Sequence, residues 1–201
     1  MTTFLLIRHA TYDAIGHTLT GRTPGLHLDG AGLAQAYELA ERLGNLRIDA
    51  VVSSPLERAR ETAAPLAERI GVDITVEADL AEVDFGAWSG RTFAELAPEP
   101  DWQRWNSFRS GTGTPGGETM LGAQARFVQA LQRWRERAPD ATIALVSHCD
   151  VIRAGLAYFL GIPLDLFLRL EISPASVSIL KLEPYGPQVT LLNHTGALPD
   201  L

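Results

Sequence analysis

Phe4-Leu5-Leu6-Ile7, followed at once by Arg8-His9, is the stretch that decides the fold. Four consecutive apolar side chains mark a strand buried on both faces. Such a strand belongs to a sheet covered by helices on either side. Outward from it, the pattern of a buried strand running into polar residues appears twice more. Asp49-Ala50-Val51-Val52 runs into Ser53-Ser54-Pro55 and then Arg58, and the strand Thr142–Val146 runs into Ser147-His148.

The intervening segments read as helices and further strands. Asp29 opens a helix with Leu33, Ala36, Tyr37, Ala40 and Leu43 on one face, and Gly44 closes it. Ser54-Pro55-Leu56-Glu57 has the spacing of a capping box, and Pro65 is expected to disturb the helix that follows. Ile74–Val76 reads as a third strand. A helix carrying Leu121, Ala125, Val128 and Leu131 precedes the Thr142–Val146 strand, and another spans about 150–160 before Gly161 and Pro163. Ser176–Leu182 and Gln188–Leu192 complete the series as late strands. Residues 97–118 break the rhythm with three prolines, four glycines, Trp102, Trp105 and Phe108, and read as an irregular, cap-like excursion. The expected architecture is one α/β domain over 1–201, a three-layer sandwich around a largely parallel sheet.

Composition narrows the function. The chain has 201 residues, 46% hydrophobic and 20% charged, enough for a core without disulfide or metal staples. Seventeen Lys and Arg against 24 Asp and Glu give a net charge of −7, which argues against nonspecific nucleic-acid binding. A few local cations can still make a positive pocket on an acidic protein. Cys149 is the single cysteine; with Asp150 beside it, it reads as an inert small residue. The first apolar run is too short for a signal core or a membrane span, so a soluble cytoplasmic protein with no membrane partner is expected. His17, His27 and His194 lack metal-ligand spacing; no metal site and no cofactor are expected.

Ligands of parallel sheets collect beyond the carboxyl ends of the strands. Two histidines and two arginines brought there would form a site for an anion. A neutral imidazole can attack phosphorus, guanidinium forks can hold phosphoryl oxygens, and a carboxylic acid can protonate the leaving oxygen.

Four segments carry a resemblance. Leu6-Ile7-Arg8-His9-Ala10-Thr11 resembles the Arg-His-Gly signature of the histidine phosphatase superfamily, which includes cofactor-dependent phosphoglycerate mutases. Val52 to Ala63, Leu80 to Gly90 and Val146 to Arg153 resemble its other three motifs, in the same order. The resemblance implies a phosphoglycerate mutase-like fold and a histidine acid phosphatase-like phosphomonoesterase. It makes His9 the nucleophile, sets Arg8, Arg58 and His148 around the phosphoryl group, and makes Glu82 the proton donor. Thr20 and Gly21 match the loop whose backbone approaches the phosphate. Asp84 rivals Glu82, but the Gly86-x-Trp88 register favours Glu82. Gly116-Gly117-Glu118 resembles a segment whose acid orders the pocket mouth, or is a plain turn before a helix.

The departures bear on substrate preference. Ala10 stands for the usual glycine, Thr11-Tyr12-Asp13 for the common Glu-Thr continuation, and Cys149 for a frequent glycine; His17 is the candidate for an absent asparagine. Arg60 and Arg153 read as solvated or ion-paired helix residues. The mutases carry an adjacent Arg-Arg pair in an insertion, whereas this excursion has only the separated Arg104 and Arg109. The favoured expectation is a phosphatase acting on a small phosphorylated metabolite. A phosphoglycerate mutase and a non-catalytic binding module on the same fold are the alternatives. Late strands such as Ser176–Leu182 can serve as edges or interfaces, so a homodimer stays open.

Overall fold

Alternate side chains of Phe4-Leu5-Leu6-Ile7 enter two different cores. Phe4 and Leu6 join one with Ile143 and Leu145, while Leu5 and Ile7 join the other with Ala144 and Val146. The sheet is therefore buried on both sides, as a continuous apolar run requires. Each fully buried Leu, Ile or Phe contributes about 1.5–3 kcal/mol, so the central strands anchor both layers.

The computed structural model describes residues 1–197; the last four positions of the domain expected over 1–201 lie outside the described residues. In chain order the elements are β1 (Thr2–Arg8), α1 (Gly30–Leu43), β2 (Ala50–Ser53), α2 (Glu57–Ile70) and β3 (Ile74–Val76). They continue with α3 (Phe93–Leu96), α4 (Pro100–Ser107), α5 (Met120–Arg137), β4 (Thr142–Ser147), α6 (Cys149–Leu160), β5 (Val177–Glu183) and β6 (Gly186–His194). The sheet order is β3-β2-β4-β1-β5-β6. The first four strands are mutually parallel, and β5 and β6 complete the sheet antiparallel. Helices α1 and α2 cover the Leu5 face, and α5 and α6 cover the Phe4 face. The expected α/β sandwich is the observed one.

Several local expectations are corrected. Helix α1 buries Gly32, Ala36, Leu39, Ala40 and Leu43, whereas Leu33 and Tyr37 are exposed. Alanines on facing helices (Ala40 on α1; Ala59, Ala63 and Ala67 on α2) set the packing there, so small residues outrank large ones. Ser54 does not cap α2; the cap position is Leu56, which makes no side-chain cap bond. The helix also runs through Pro65 to Ile70. Helix α5 buries Met120, Ala123, Phe127, Ala130, Leu131 and Trp134; of the expected stripe Leu131 is buried while Leu121 and Ala125 are exposed and Val128 is partly buried, because the bulky Phe127 and Trp134 choose the face. The excursion is not irregular throughout. Pro100 occupies the first turn of α4, where its missing N–H costs nothing. Trp105 on that helix is fully buried against Phe85 and Trp88, pinning the segment to the core.

Candidate active site

Strand β4 lies between β2 and β1, with Arg8 opposite Ser147 and Ser53 opposite Val146. Three carboxyl ends therefore coincide, and the chain delivers Arg8-His9, Ser53-Ser54 and Ser147-His148 to one edge. The backbone ladder runs one step further on both sides. His9 N–H donates to the Ser147 carbonyl at 3.0 Å, and Ser54 N–H to the Val146 carbonyl at 2.9 Å.

At that edge the His9 and His148 ring centroids are 5.1 Å apart, their planes inclined by 56°. His9 Nδ1 lies 2.8 Å from the Ala10 carbonyl oxygen, an acceptor, so Nδ1 carries the proton. Burial, then the charges of Arg58 and Arg8, hold His9 well below the ordinary imidazole value. A neutral ring protonated at Nδ1 has its lone pair at Nε2. His148 is fully buried, and burial with the Arg58 charge likewise keeps it neutral. Its Nε2 meets Ser54 Oγ at 2.7 Å, and its Nδ1 has no hydrogen-bond partner within the protein.

Arg58, on the first turn of α2, is 1% exposed. Nη2 donates to the Gly21 carbonyl at 2.8 Å, and the guanidinium sits over the Tyr12 ring at 5.2 Å. Its Nε and Nη1 are buried without partners, as is Nε of Arg8, whose Nη1 donates to the Ile172 carbonyl at 2.6 Å. Buried donors with no acceptor are costly, and here they converge on one site. The Thr20 hydroxyl lies 2.7 Å from Tyr12 Oη. Gly21 adopts φ +51°, and a Cβ there would sit 3.0 Å from Phe85 and 3.2 Å from Ser89, so glycine fits the turn.

Glu82 is partly buried. Burial, then the negative charge of Asp150, pushes it up to about 7. Oε1 accepts from the Val83 N–H at 2.9 Å. The Glu82 carbonyl accepts from Arg22 Nε at 2.8 Å and Arg126 Nη2 at 3.1 Å, and both arginines also bind the Glu118 carboxylate. Asp84 instead binds the Gly86 N–H, the capping alternative to a reacting role.

The structure thus brings together Arg8, His9, Arg58, Glu82 and His148, with Thr20 and Gly21 beside Arg58 and Tyr12. His17 is exposed. Burial, then Asp150, pushes the Cys149 thiol up to about 11, far from a reactive thiolate. Sequence reasoning missed Arg22 and Arg126, which hold the Glu82 segment. It also missed Thr62, whose Oγ1 accepts from Ala10 N–H and donates to the Arg58 carbonyl. Ser54, whose spacing predicts a helix cap, is instead a partner of His148. Only Ser54 and Thr62 lay inside recognised motifs; no local signal marks the arginines.

The chain is similar to known proteins over nearly its whole length. The chain is 38% identical over 205 residues to the bifunctional protein Rv2228c of Mycobacterium tuberculosis, covering 98% of this chain and 55% of that protein. The chain therefore spans about half the length of that relative. It is 31% identical to phosphoserine phosphatase 1 of Hydrogenobacter thermophilus, covering 97% of this chain and 93% of that one. Its fold superposes on mycobacterial glucosyl-3-phosphoglycerate phosphatase with a TM-score of 0.86 and 26% identity, over 95% and 98% of the two chains. The model of the histidine phosphatase superfamily, branch 1, matches residues 4–195, which include all four motifs and every residue gathered at the sheet edge. The chain belongs to that superfamily.

Proposed function

We propose that this chain hydrolyses a small organic phosphomonoester through a phosphohistidine formed on His9. The observation that carries the reading is the state of that imidazole: buried, neutral, its Nδ1 proton spent on the Ala10 carbonyl and its Nε2 lone pair free. A neutral imidazole next to two cations is the form that can attack phosphorus.

In the first step Nε2 of His9 bonds to phosphorus as the bond from phosphorus to the ester oxygen breaks. The unpartnered donors of Arg8 and Arg58 take the equatorial oxygens and stabilise charge that grows in the transition state. Ser54 donates to Nε2 of His148, so that Nδ1 of His148 bears its proton and supplies a further donor. Glu82, protonated at Oε2 while Oε1 is held by Val83, delivers that proton to the leaving oxygen. In the second step the Glu82 carboxylate takes a proton from water, whose oxygen bonds to phosphorus as the phosphorus–nitrogen bond breaks. Inorganic phosphate leaves and both groups are restored. No step calls for a metal, so turnover should persist in excess chelator.

The test is inorganic phosphate release from p-nitrophenyl phosphate and a panel of phosphorylated metabolites, with acid-labile phosphoprotein trapped on quenching. His9→Ala is expected to lose at least about 10³-fold in kcat and all trapped label. Near-normal turnover by that variant would sink the assignment. Interconversion of phosphoglycerates without phosphate release would instead favour the mutase. Phosphate-ester binding without turnover would favour a binding module.

A further inference from the structure

Tyr12 touches both groups on which the first step relies. Its ring meets the His9 imidazole edge to face, with centroids 5.4 Å apart and planes inclined by 61°. The Arg58 guanidinium lies over the same ring, 5.2 Å from its centroid. The phenol oxygen is tied as well, 2.7 Å from Thr20 Oγ1. Only 7% of the residue is exposed. Thr11-Tyr12-Asp13 is one of the departures from the superfamily's pattern, and the two-step reaction makes no use of this tyrosine.

Arg58 needs what this ring offers. A buried guanidinium carries a desolvation cost, which proteins commonly offset with a carboxylate. Here, among the described residues, the one hydrogen bond it makes goes from Nη2 to the neutral Gly21 carbonyl at 2.8 Å. A carboxylate would take up the remaining N–H groups and cancel the charge. The face of an aromatic ring attracts the cation and leaves Nε–H and Nη1–H unspent. Those are the two donors of Arg58 without a partner. The bond to Thr20 and the packing against His9 keep the ring itself from swinging aside.

We propose that Tyr12 is a positioning residue, whose ring face holds the Arg58 guanidinium so that Nε and Nη1 stay free for the oxygens of a phosphoryl group facing His9. The hydroxyl has the lesser task of anchoring the ring. Without the face, the long arginine side chain would spend its donors on other acceptors such as water. The cost of ordering it would then fall on each binding event. The inference rests on the phosphatase reading for the role of Arg58.

The test follows orthovanadate, an oxyanion that can take up the five-coordinate geometry of the transition state, by calorimetry and by inhibition of p-nitrophenyl phosphate hydrolysis. Tyr12→Leu is expected to raise the vanadate Kd at least about tenfold, the range of a desolvated cation–π contact, and to lower kcat/KM in step. Tyr12→Phe keeps the face and should stay within about threefold of the native chain. Trifluorophenylalanine in place of Tyr12 keeps the shape but strips the face of negative potential. It should bind vanadate about as weakly as Tyr12→Leu, and it decides the matter should Tyr12→Leu fail to fold. In an Arg58→Gln background the effect of Tyr12→Leu should vanish, because the ring has no cation left to hold; a merely structural role would persist there. Three results would overturn the proposal: Tyr12→Phe as damaging as Tyr12→Leu, the fluorinated ring equal to Tyr12→Phe, or an undiminished effect in the Arg58→Gln background. Hydrolysis and vanadate binding untouched by Tyr12→Leu would sink this inference alone. The expected pattern of vanadate binding without hydrolysis of any ester would sink the phosphatase reading and leave the clamp standing. No vanadate binding by the native chain would sink both.

Discussion

The Glu118 carboxylate and the Arg126 guanidinium meet as a two-bond fork, Nε to Oε2 at 3.1 Å and Nη2 to Oε1 at 2.7 Å. Bidentate pairs of this kind fix orientation as well as adding energy. This one fixes Glu82. Arg126 reaches on to the carbonyls of Glu82 and Asp79, while Glu118 accepts from the Asp84 N–H and from Arg22. Of the two readings of Gly116-Gly117-Glu118, the ordering of the pocket is the one this network supports.

Glu118→Gln keeps the volume and breaks the charged fork. Misplacing the Glu82 segment by a fraction of an ångström should lower kcat on an alkyl phosphate by about 10- to 100-fold. The KM should change far less, because the phosphoryl-binding donors are untouched. Steady-state kinetics separate the two. A purely structural role would lower the melting temperature and leave kcat intact.

Glu82→Gln removes the proposed proton donor. Because kcat/KM reports only the steps through phosphoenzyme formation, it isolates the acid role. We expect a loss of about 10²- to 10⁴-fold on glycerol phosphate and much less on p-nitrophenyl phosphate, whose leaving group needs little protonation. The native enzyme should lose kcat/KM for alkyl esters as pH rises through about 7, where the raised Glu82 carboxyl ionises. Equal losses on both ester types, or an alkaline limb that survives in Glu82→Gln, would remove Glu82 from the role.

The two buried imidazoles also set an acid limit on stability. His9 and His148 are held well below 6.5 when folded, chiefly by burial, and return to about 6.5 when unfolded. The unfolded chain then binds more protons below pH 6.5, so the stability they contribute is present above that pH and is lost as pH falls through their folded values. Melting temperature should decline from pH 6.5 downward. In His148→Gln that decline should be shallower, since one titrating group has gone. An identical slope in the variant would show that other groups govern acid unfolding.

The strands and their chemistry were legible because both are local. Four apolar residues in a row declare β1, and the polar residues that follow must emerge at its end. Helix faces were less legible where alanine and glycine make the contact, as on α1, since Leu33 and Tyr37 offer larger side chains to a core than Ala36 and Gly32, while close packing against α2 and the Thr11 backbone selects the small ones. Helix α4 was hidden by Pro98 and Pro100, which mark its start rather than its absence, and by its short length. Arg22, Arg126 and Glu118 were invisible as a group, because their meeting depends on the return of three distant segments to one point. Tyr12 had the same difficulty: only the fold shows that the Arg58 guanidinium lies over its ring.

Gly32 tests how the fold holds the nucleophile. A Cβ at this position would lie 2.0 Å from the Thr11 carbonyl oxygen and 3.2 Å from the Thr11 nitrogen, both backbone atoms that cannot swing aside. The same segment carries Ala10, whose carbonyl fixes the His9 tautomer, and Asp29 ties it to α1 by accepting from Thr11 Oγ1 and Gly32 N–H. Gly32→Ala gains about 1 kcal/mol of helix propensity, but the clash should outweigh it for a net loss of about 1–3 kcal/mol. The displaced loop should also cost activity. Gly30, in the same first turn, has nothing within 4 Å of a Cβ, so Gly30→Ala should stabilise by about 0.4–1 kcal/mol. Urea midpoints of the two variants should move in opposite directions; a shift of the same sign in both would mean that the approach of α1 to the His9 loop does not constrain the site.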